Sequence, residues 1–142
     1  MSSSPAEAGP ELTPASVSTL MPLAVSLGVE FTSIDASGVR ATMPWKAENL
    51  TMVGTLHGGA LMGMADSAGA ACAFFNLPPA TTTITIESKT NFFRGVSSGA
   101  VHSVTRALHV GRTIIVVQTD IVDDNGRHVS QTTQTQTVTS TS

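Results

Sequence analysis

The segment from Gly58 to Phe75, GGALMGMADSAGAACAFF, is apolar or glycine at every position except Asp66 and Ser67. A run of this length exceeds a typical strand and reads as a helix. Apolar residues all round its axis require that other elements wrap it. Its four glycines and six alanines let those elements approach closely. A bilayer span is the competing reading, but the stretch is barely long enough, holds a carboxylate at its centre and lacks a basic flank. No membrane partner is expected. The carboxylate is the anomaly: an acid in a buried helix is costly unless it has a partner, a shifted pKa or a function.

The flanking segments say what does the wrapping. ELTPASVSTLMPLAVSLGVEF reads as a short helix, with Pro14 suited to its first turn and Pro22 breaking or kinking it. GVEFTSIDASGVRATMPW alternates apolar and polar residues about a turn at Asp35–Gly38, a hairpin pattern. KAENLTMVGTL is irregular. The second half is strand-like throughout, from ATTTITIESKTNFFRGV to the pair of strands joined by DDNG at Asp123–Gly126. The last strand alternates Thr with Gln and reads as sheet surface, and TSTS at the end reads as frayed. The order is helix, two strands, one long helix, four strands. The expected fold is α+β, a curved antiparallel β-sheet wrapped around one long central helix. Residues 1–11 are expected to be a disordered tail and 12–139 a single domain.

Of 142 residues, 41% are hydrophobic and only 12% charged, with a net charge of −3. No Lys/Arg run is present, so a nucleic-acid partner is not expected. So few charges favour burial against a second copy. The single cysteine, Cys72, excludes an intrachain disulfide and a multi-cysteine metal site; neither metal nor cofactor is expected. No basic, then apolar, secretory leader is visible at the start, so the expected location is cytoplasmic.

GTLHGGALMGMADSAGAACAF, followed by IESKTNFFRGV, ALHVGRTIIVVQTDIVDDNGR and VSQTTQTQ, resembles the hotdog-fold thioesterases. The resemblance covers roughly residues 27–138. Within that family it is similar to the branch of the phenylacetate-degradation, Arthrobacter-type 4-hydroxybenzoyl-CoA and human mitochondrial acyl-CoA thioesterases. It implies hydrolysis of acyl- or aryl-CoA thioesters at a site shared by two subunits, in a homo-oligomer expected to be a dimer of dimers. It implies that the backbone N–H of Gly58, after His57, polarises the thioester carbonyl, and that Asp66 is nucleophile or general base. Elementary chemistry agrees, since a helix start offers free N–H groups and a favourable dipole to an oxyanion. Gly58 and Gly59 also let a substrate approach the backbone closely.

The same resemblance implies that the Thr85 hydroxyl helps hold the water. It implies that Arg94, and Arg112 with Thr113 in the HVGRT turn, contact CoA, where a guanidinium suits phosphate. One departure stands six residues before His57, where the family usually has Asn or Gln and this chain has Thr51. Either the Thr51 hydroxyl substitutes, or Asn49 reaches in, or the site is differently tuned. Ala70, one turn after Asp66, replaces a Thr of the 4-hydroxybenzoyl enzyme and points to a broader acyl or aryl range.

Blander readings stand beside these. Asp66 could be an acid satisfied by backbone or Ser groups, His57 a helix cap, and Arg94, Arg106 and Arg112 solvated charges. Cys72 reads as a small core residue, and Met52, Met62 and Met64 as core filler or pocket lining. Two other functions fit the fold: dehydration of hydroxyacyl thioesters, and acyl-CoA binding without catalysis. Dehydration leaves the thiol bound where hydrolysis releases it.

Overall fold

A computed structural model describes residues 11–141; all of the expected tail but Glu11 lies outside the described residues. Helix α1 (Pro14–Leu20) begins with a reciprocal capping box. The Thr13 hydroxyl accepts from the Ser16 N–H at 3.1 Å, and the Ser16 hydroxyl accepts from the Thr13 N–H at 2.8 Å. Pro22 cannot donate the N–H that would continue α1, so the chain breaks at Met21 and restarts as α2 (Pro22–Leu27). Gly28, at φ 81°, closes α2 by donating to the Ala24 and Val25 carbonyls, a left-handed cap that glycine adopts without steric cost. The one expected helix is therefore two.

Strands β1 (Glu30–Asp35) and β2 (Gly38–Pro44) form the expected hairpin. Asp35 Oδ1 holds its turn by accepting from the N–H groups of Ser37 at 2.8 Å and Gly38 at 3.2 Å. Helix α3 (Gly58–Phe74) follows, then β3 (Thr81–Thr82), β4 (Thr85–Phe92), β5 (Ala100–Val110), β6 (Ile114–Asp123), β7 (His128–Thr137) and β8 (Thr139–Ser140). The main sheet is antiparallel, in the order β1-β2-β5-β6-β7-β4. Helix α3 lies across all six strands. Met64, Ala65, Ala68 and Cys72 on the helix are buried against Val39, Met43, Val101, Ile115, Val117, Ile121 and Val129 on the sheet. Full burial of a side chain the size of Met64 contributes roughly 1.5–3 kcal/mol.

The helix is not covered all round. Gly59, Met62, Asp66 and Phe74 are exposed at helical spacing, and Ala70 among them is half-buried. Asp66 therefore sits in the middle of an open stripe. Beside that stripe α2 covers part of the helix, with Leu27 packed against Gly63 so closely that a Cβ there would lie 2.8 Å from the leucine methyl.

Three sequence expectations change here. The Thr/Gln strand is not plain sheet surface: the alternation of β7 turns Ser130, Thr132, Gln134 and Gln136 inward, where all four are buried. Small residues on α3 leave room for those polar side chains. The end of the chain is not frayed at Thr139–Ser140, which pair as β8 with β3. Met52 is fully exposed and Met62 partly so; of the three only Met64 is core. Both outer strands carry charge, Glu30 and Asp35 on β1 and Glu87 and Lys89 on β4.

Four threonines on the inner face pair with one another. Thr105, Thr119, Thr132 and Thr90 fall in one row across β5, β6, β7 and β4. Their hydroxyls pair at 2.8 Å (Thr105 with Thr119) and 2.7 Å (Thr90 with Thr132).

Candidate active site

The loop before α3 is tied down at several points. Trp45 Nε1 donates to the Gly54 carbonyl at 3.0 Å, and the Thr51 N–H donates to the Thr55 carbonyl at 2.8 Å. The His57 N–H donates to the Asn49 carbonyl, and the Leu56 N–H to the Val96 carbonyl, both at 2.8 Å. These bonds fix how the chain enters the helix.

At that entrance the backbone donors sort themselves. The Gly59 N–H is capped by His57 Nδ1 at 2.8 Å. The N–H groups of Ala60 and Leu61 both reach the His57 carbonyl, at 2.9 and 3.1 Å. Only Gly58, the first residue of α3, keeps an N–H with no partner among the described residues. An unpaired donor at the positive end of a helix is suited to a developing oxyanion. Phe92 walls it, since a Cβ on Gly58 would lie 3.2 Å from the ring. An imidazole that accepts at Nδ1 carries its neutral-state proton on Nε2, so His57 in this geometry is the cap of α3.

Asp66 is held from the sheet on one oxygen. Oδ1 accepts from the Thr85 hydroxyl at 3.0 Å and from Gln134 Nε2 at 2.9 Å. Oδ2 has no hydrogen-bond partner among the described residues. Gln136 Nε2 donates to the Thr85 oxygen at 2.7 Å, and the Thr83 hydroxyl donates to Gln136 Oε1 at 3.0 Å. The order Thr83, Gln136, Thr85, Asp66 thus has a single direction of donation, and each link strengthens the next. Hydrogen bonds to a charged acceptor are worth about 1.5–3 kcal/mol each. Gln134, Gln136 and Thr83 did not emerge from the sequence as site residues. The signal was present: period-2 alternation puts 134 and 136 on one face of β7.

The remaining candidates are placed as follows. Asn49 is buried and its amide donates to the Leu27 carbonyl at 2.8 Å, at the end of α2. The Thr51 hydroxyl pairs with that of Thr55 at 2.9 Å inside the loop. Within the chain neither side chain reaches Asp66. Arg94 and Arg112 are exposed and make no ion pair among the described residues, and Thr113 is exposed beside Arg112 at the β5–β6 turn. Arg106 is exposed on β5. Cys72 is buried, and burial pushes its thiol up to about 11, which makes it inert as a nucleophile.

An apolar cavity of about 260 Å³ opens beside the Asp66 stripe, between α1 and the second half of α3. Val17, Leu20, Met21, Ala70, Phe74 and Thr83 are among its lining residues. Ala70 stands one turn beyond Asp66, and Thr83 belongs to the hydrogen-bond chain that ends on it. Among the described residues, no three His, Cys, Asp or Glu side chains gather as a metal site, and no helix is long and apolar enough to cross a membrane.

Comparison with known proteins places the fold in a family. Residues 53–130 match the thioesterase superfamily. The chain is 31% identical over 101 residues to the 1,4-dihydroxy-2-naphthoyl-CoA hydrolase of Escherichia coli, an alignment covering 71% of this chain and 74% of the relative. It is equally similar to the proofreading thioesterase EntH of Cronobacter turicensis, with 31% identity over the same shares of each chain. The crystal structure of a mutant thioesterase from Pseudomonas aeruginosa superposes with a TM-score of 0.84 at 28% identity, over 94% of this chain and 97% of that one. With α3 packed on its antiparallel sheet, the chain belongs to the thioesterase superfamily and is a thioester hydrolase of the hotdog fold.

Proposed function

We propose that the chain hydrolyses CoA thioesters of apolar acyl or aryl acids, in sites that two copies build together. In each site the Gly58 N–H of one copy polarises the thioester carbonyl and Asp66 of the other supplies the carboxylate. Asp66 either attacks the carbonyl carbon through Oδ2 or takes a proton there from the attacking water. On the first route the C–S bond breaks as an anhydride forms between Asp66 and the acyl group, and water then hydrolyses that anhydride. On the second, water displaces the thiolate directly, so both release CoA and the free acid and restore Asp66.

One observation carries this reading. Among the described residues, the free donor of α3 is Gly58 and the carboxylate oxygen without a partner is on Asp66, eight residues and so about 12 Å further along the helix axis. A single carbonyl group cannot be within bonding distance of both. Two copies related by a twofold axis solve this, because each brings its Gly58 to the other's Asp66. Strand β4 stands at the edge of the sheet beside the site, with Ile84, Ile86, Phe92 and Phe93 exposed. These exposed apolar residues in and beside β4 are suited to a second copy, and a dimer of dimers extends the same arrangement.

The substrate reading rests on three features. The cavity beside Ala70 and Phe74 is apolar and takes the acyl or aryl part. The exposed guanidinium groups of Arg94 and Arg112, with Thr113, receive the CoA phosphates. The Escherichia coli relative is by its name a hydrolase of an aryl-CoA. A panel of CoA thioesters, from acetyl to long-chain and aryl, assayed by release of free thiol tests the proposal. Turnover concentrated on apolar acyl or aryl members supports it; no thiol from any member refutes it.

A further inference from the structure

We infer that Gln134 is a positioning residue for the Asp66 carboxylate, and that residue 69 is glycine in order to admit it. The inference rests on the hydrolytic reading for its kinetic consequence, though not for its geometry.

Gln134 is a poor choice for the fold alone. Its side chain is wholly buried on the inner face of β7, and its Oε1 has no hydrogen-bond partner among the described residues. A buried carbonyl without a partner is destabilising, and an apolar side chain of the same length would avoid that loss. What the amide does supply is a donor to Asp66 Oδ1 at 2.9 Å, backed by a longer approach to the Thr85 hydroxyl at 3.5 Å.

Gly69 is a poor choice for the helix alone. It is buried in the interior of α3, where glycine weakens a helix relative to alanine. Its φ is not positive, so conformational freedom does not call for glycine. Space does. A Cβ at this position would overlap the Gln134 carboxamide, lying within 2.9 Å of Nε2 and closer still to Cδ and Oε1.

Both anomalies have one explanation. The carboxamide of Gln134 lies against the bare backbone of residue 69, one turn beyond Asp66, and from there pins Oδ1. With Thr85 on the same oxygen, the carboxylate cannot rotate about its Cβ–Cγ bond without losing two donors. Oδ2 is thereby fixed as the oxygen presented to the thioester or to water.

The test uses four full-length variants: Gln134→Met, Gly69→Ala, Gln134→Ala, and Gly69→Ala combined with Gln134→Ala. Gln134→Met is expected to lower kcat by about tenfold or more, with KM little changed and a Tm no lower than wild type. Gly69→Ala is expected to lower kcat similarly, and its crystal structure to show the Gln134 carboxamide moved off Asp66. In the Gln134→Ala background, Gly69→Ala should cost no further kcat and should raise Tm. Wild-type kcat in Gln134→Met overturns the inference, as does a Gly69→Ala structure with the amide still on Oδ1. An equal loss from Gly69→Ala in both backgrounds does so too. If the wild type hydrolyses no CoA thioester, the hydrolytic reading falls, and the Gly69→Ala structure still decides the positioning.

Discussion

Thr85 donates its hydroxyl proton to Oδ1 of Asp66 at 3.0 Å, and its direction is set because its own oxygen already receives the Gln136 amide at 2.7 Å. Thr85→Ser keeps both bonds and is expected to keep kcat within a few-fold. Thr85→Val removes a hydrogen bond to a charged group and leaves the buried Gln136 amide without an acceptor. It should lower kcat by about tenfold or more and also lower Tm. Steady-state thiol release with thermal melts on the two variants checks this. Equal kcat in Ser and Val would remove Thr85 from the site.

The role of the Gly58 N–H can be separated from that of its missing side chain. Gly58 is the first residue of α3, where proline is accommodated because its absent N–H is not needed by the helix. His57, at φ −64° and ψ 136°, already has the extended backbone that a following proline demands. Gly58→Ala adds a Cβ against Phe92 and keeps the donor; Gly58→Pro adds similar bulk and deletes it. The proline variant should fall below the alanine variant by a further factor of about 100–1000 in kcat, the usual loss for one oxyanion donor. Similar rates in the two would show that the N–H does not act.

His57 holds the start of α3 through the Gly59 N–H. His57→Ala should cost about 1 kcal/mol of stability, as lost N-caps do, whereas His57→Asn, which can cap, should cost much less. Chemical denaturation of both variants at neutral pH measures the difference.

Acid should destabilise the fold through identifiable carboxylates. The Arg127 backbone N–H, the Asn125 N–H and the Arg127 guanidinium all bond Asp123, holding its carboxyl below the usual 3.8. Asp35 is lowered by the Ser37 hydroxyl and N–H, and Asp124 by His102 and the Ala100 N–H. A lowered native pKa gives stability that is fully present above the unfolded value and is lost as pH falls through the native one. Tm should therefore hold from neutrality to about pH 5 and drop below about pH 4. Asp123→Asn should start lower at neutral pH and lose less on acidification. A variant that loses as much as wild type would exonerate Asp123.

Much of the fold was legible in the sequence because its signals are local. The Gly58–Phe75 run reads as a helix packed within the fold, and DDNG as a tight turn. The entrance of α3 was legible for the same reason: His57, Gly58 and Gly59 are consecutive, and their chemistry follows from being at a helix start. The support beneath Asp66 was not. Gln134 lies 68 residues away, on a strand whose two faces are both polar, so alternation alone could not say which face turned inward. Gly69 was equally silent, since a glycine among alanines reads as close packing until the carboxamide it admits is seen. The uncovered stripe through Met62, Asp66 and Phe74 was hidden too, because composition cannot mark which side of an apolar helix is left open.

The central claim is that Gly58 and Asp66 act on one thioester from different copies. Asp66→Ala and Gly58→Pro chains, differently tagged and co-expressed, can be purified through both tags so that every oligomer contains each variant. Each variant alone should be nearly inactive on the best CoA thioester. In a mixed pair one site is intact, receiving Gly58 from the first chain and Asp66 from the second, while the other site carries both defects. The predicted result is recovery of thiol release to about half the wild-type rate per pair. Mixed oligomers as inactive as their parents would contradict the shared site.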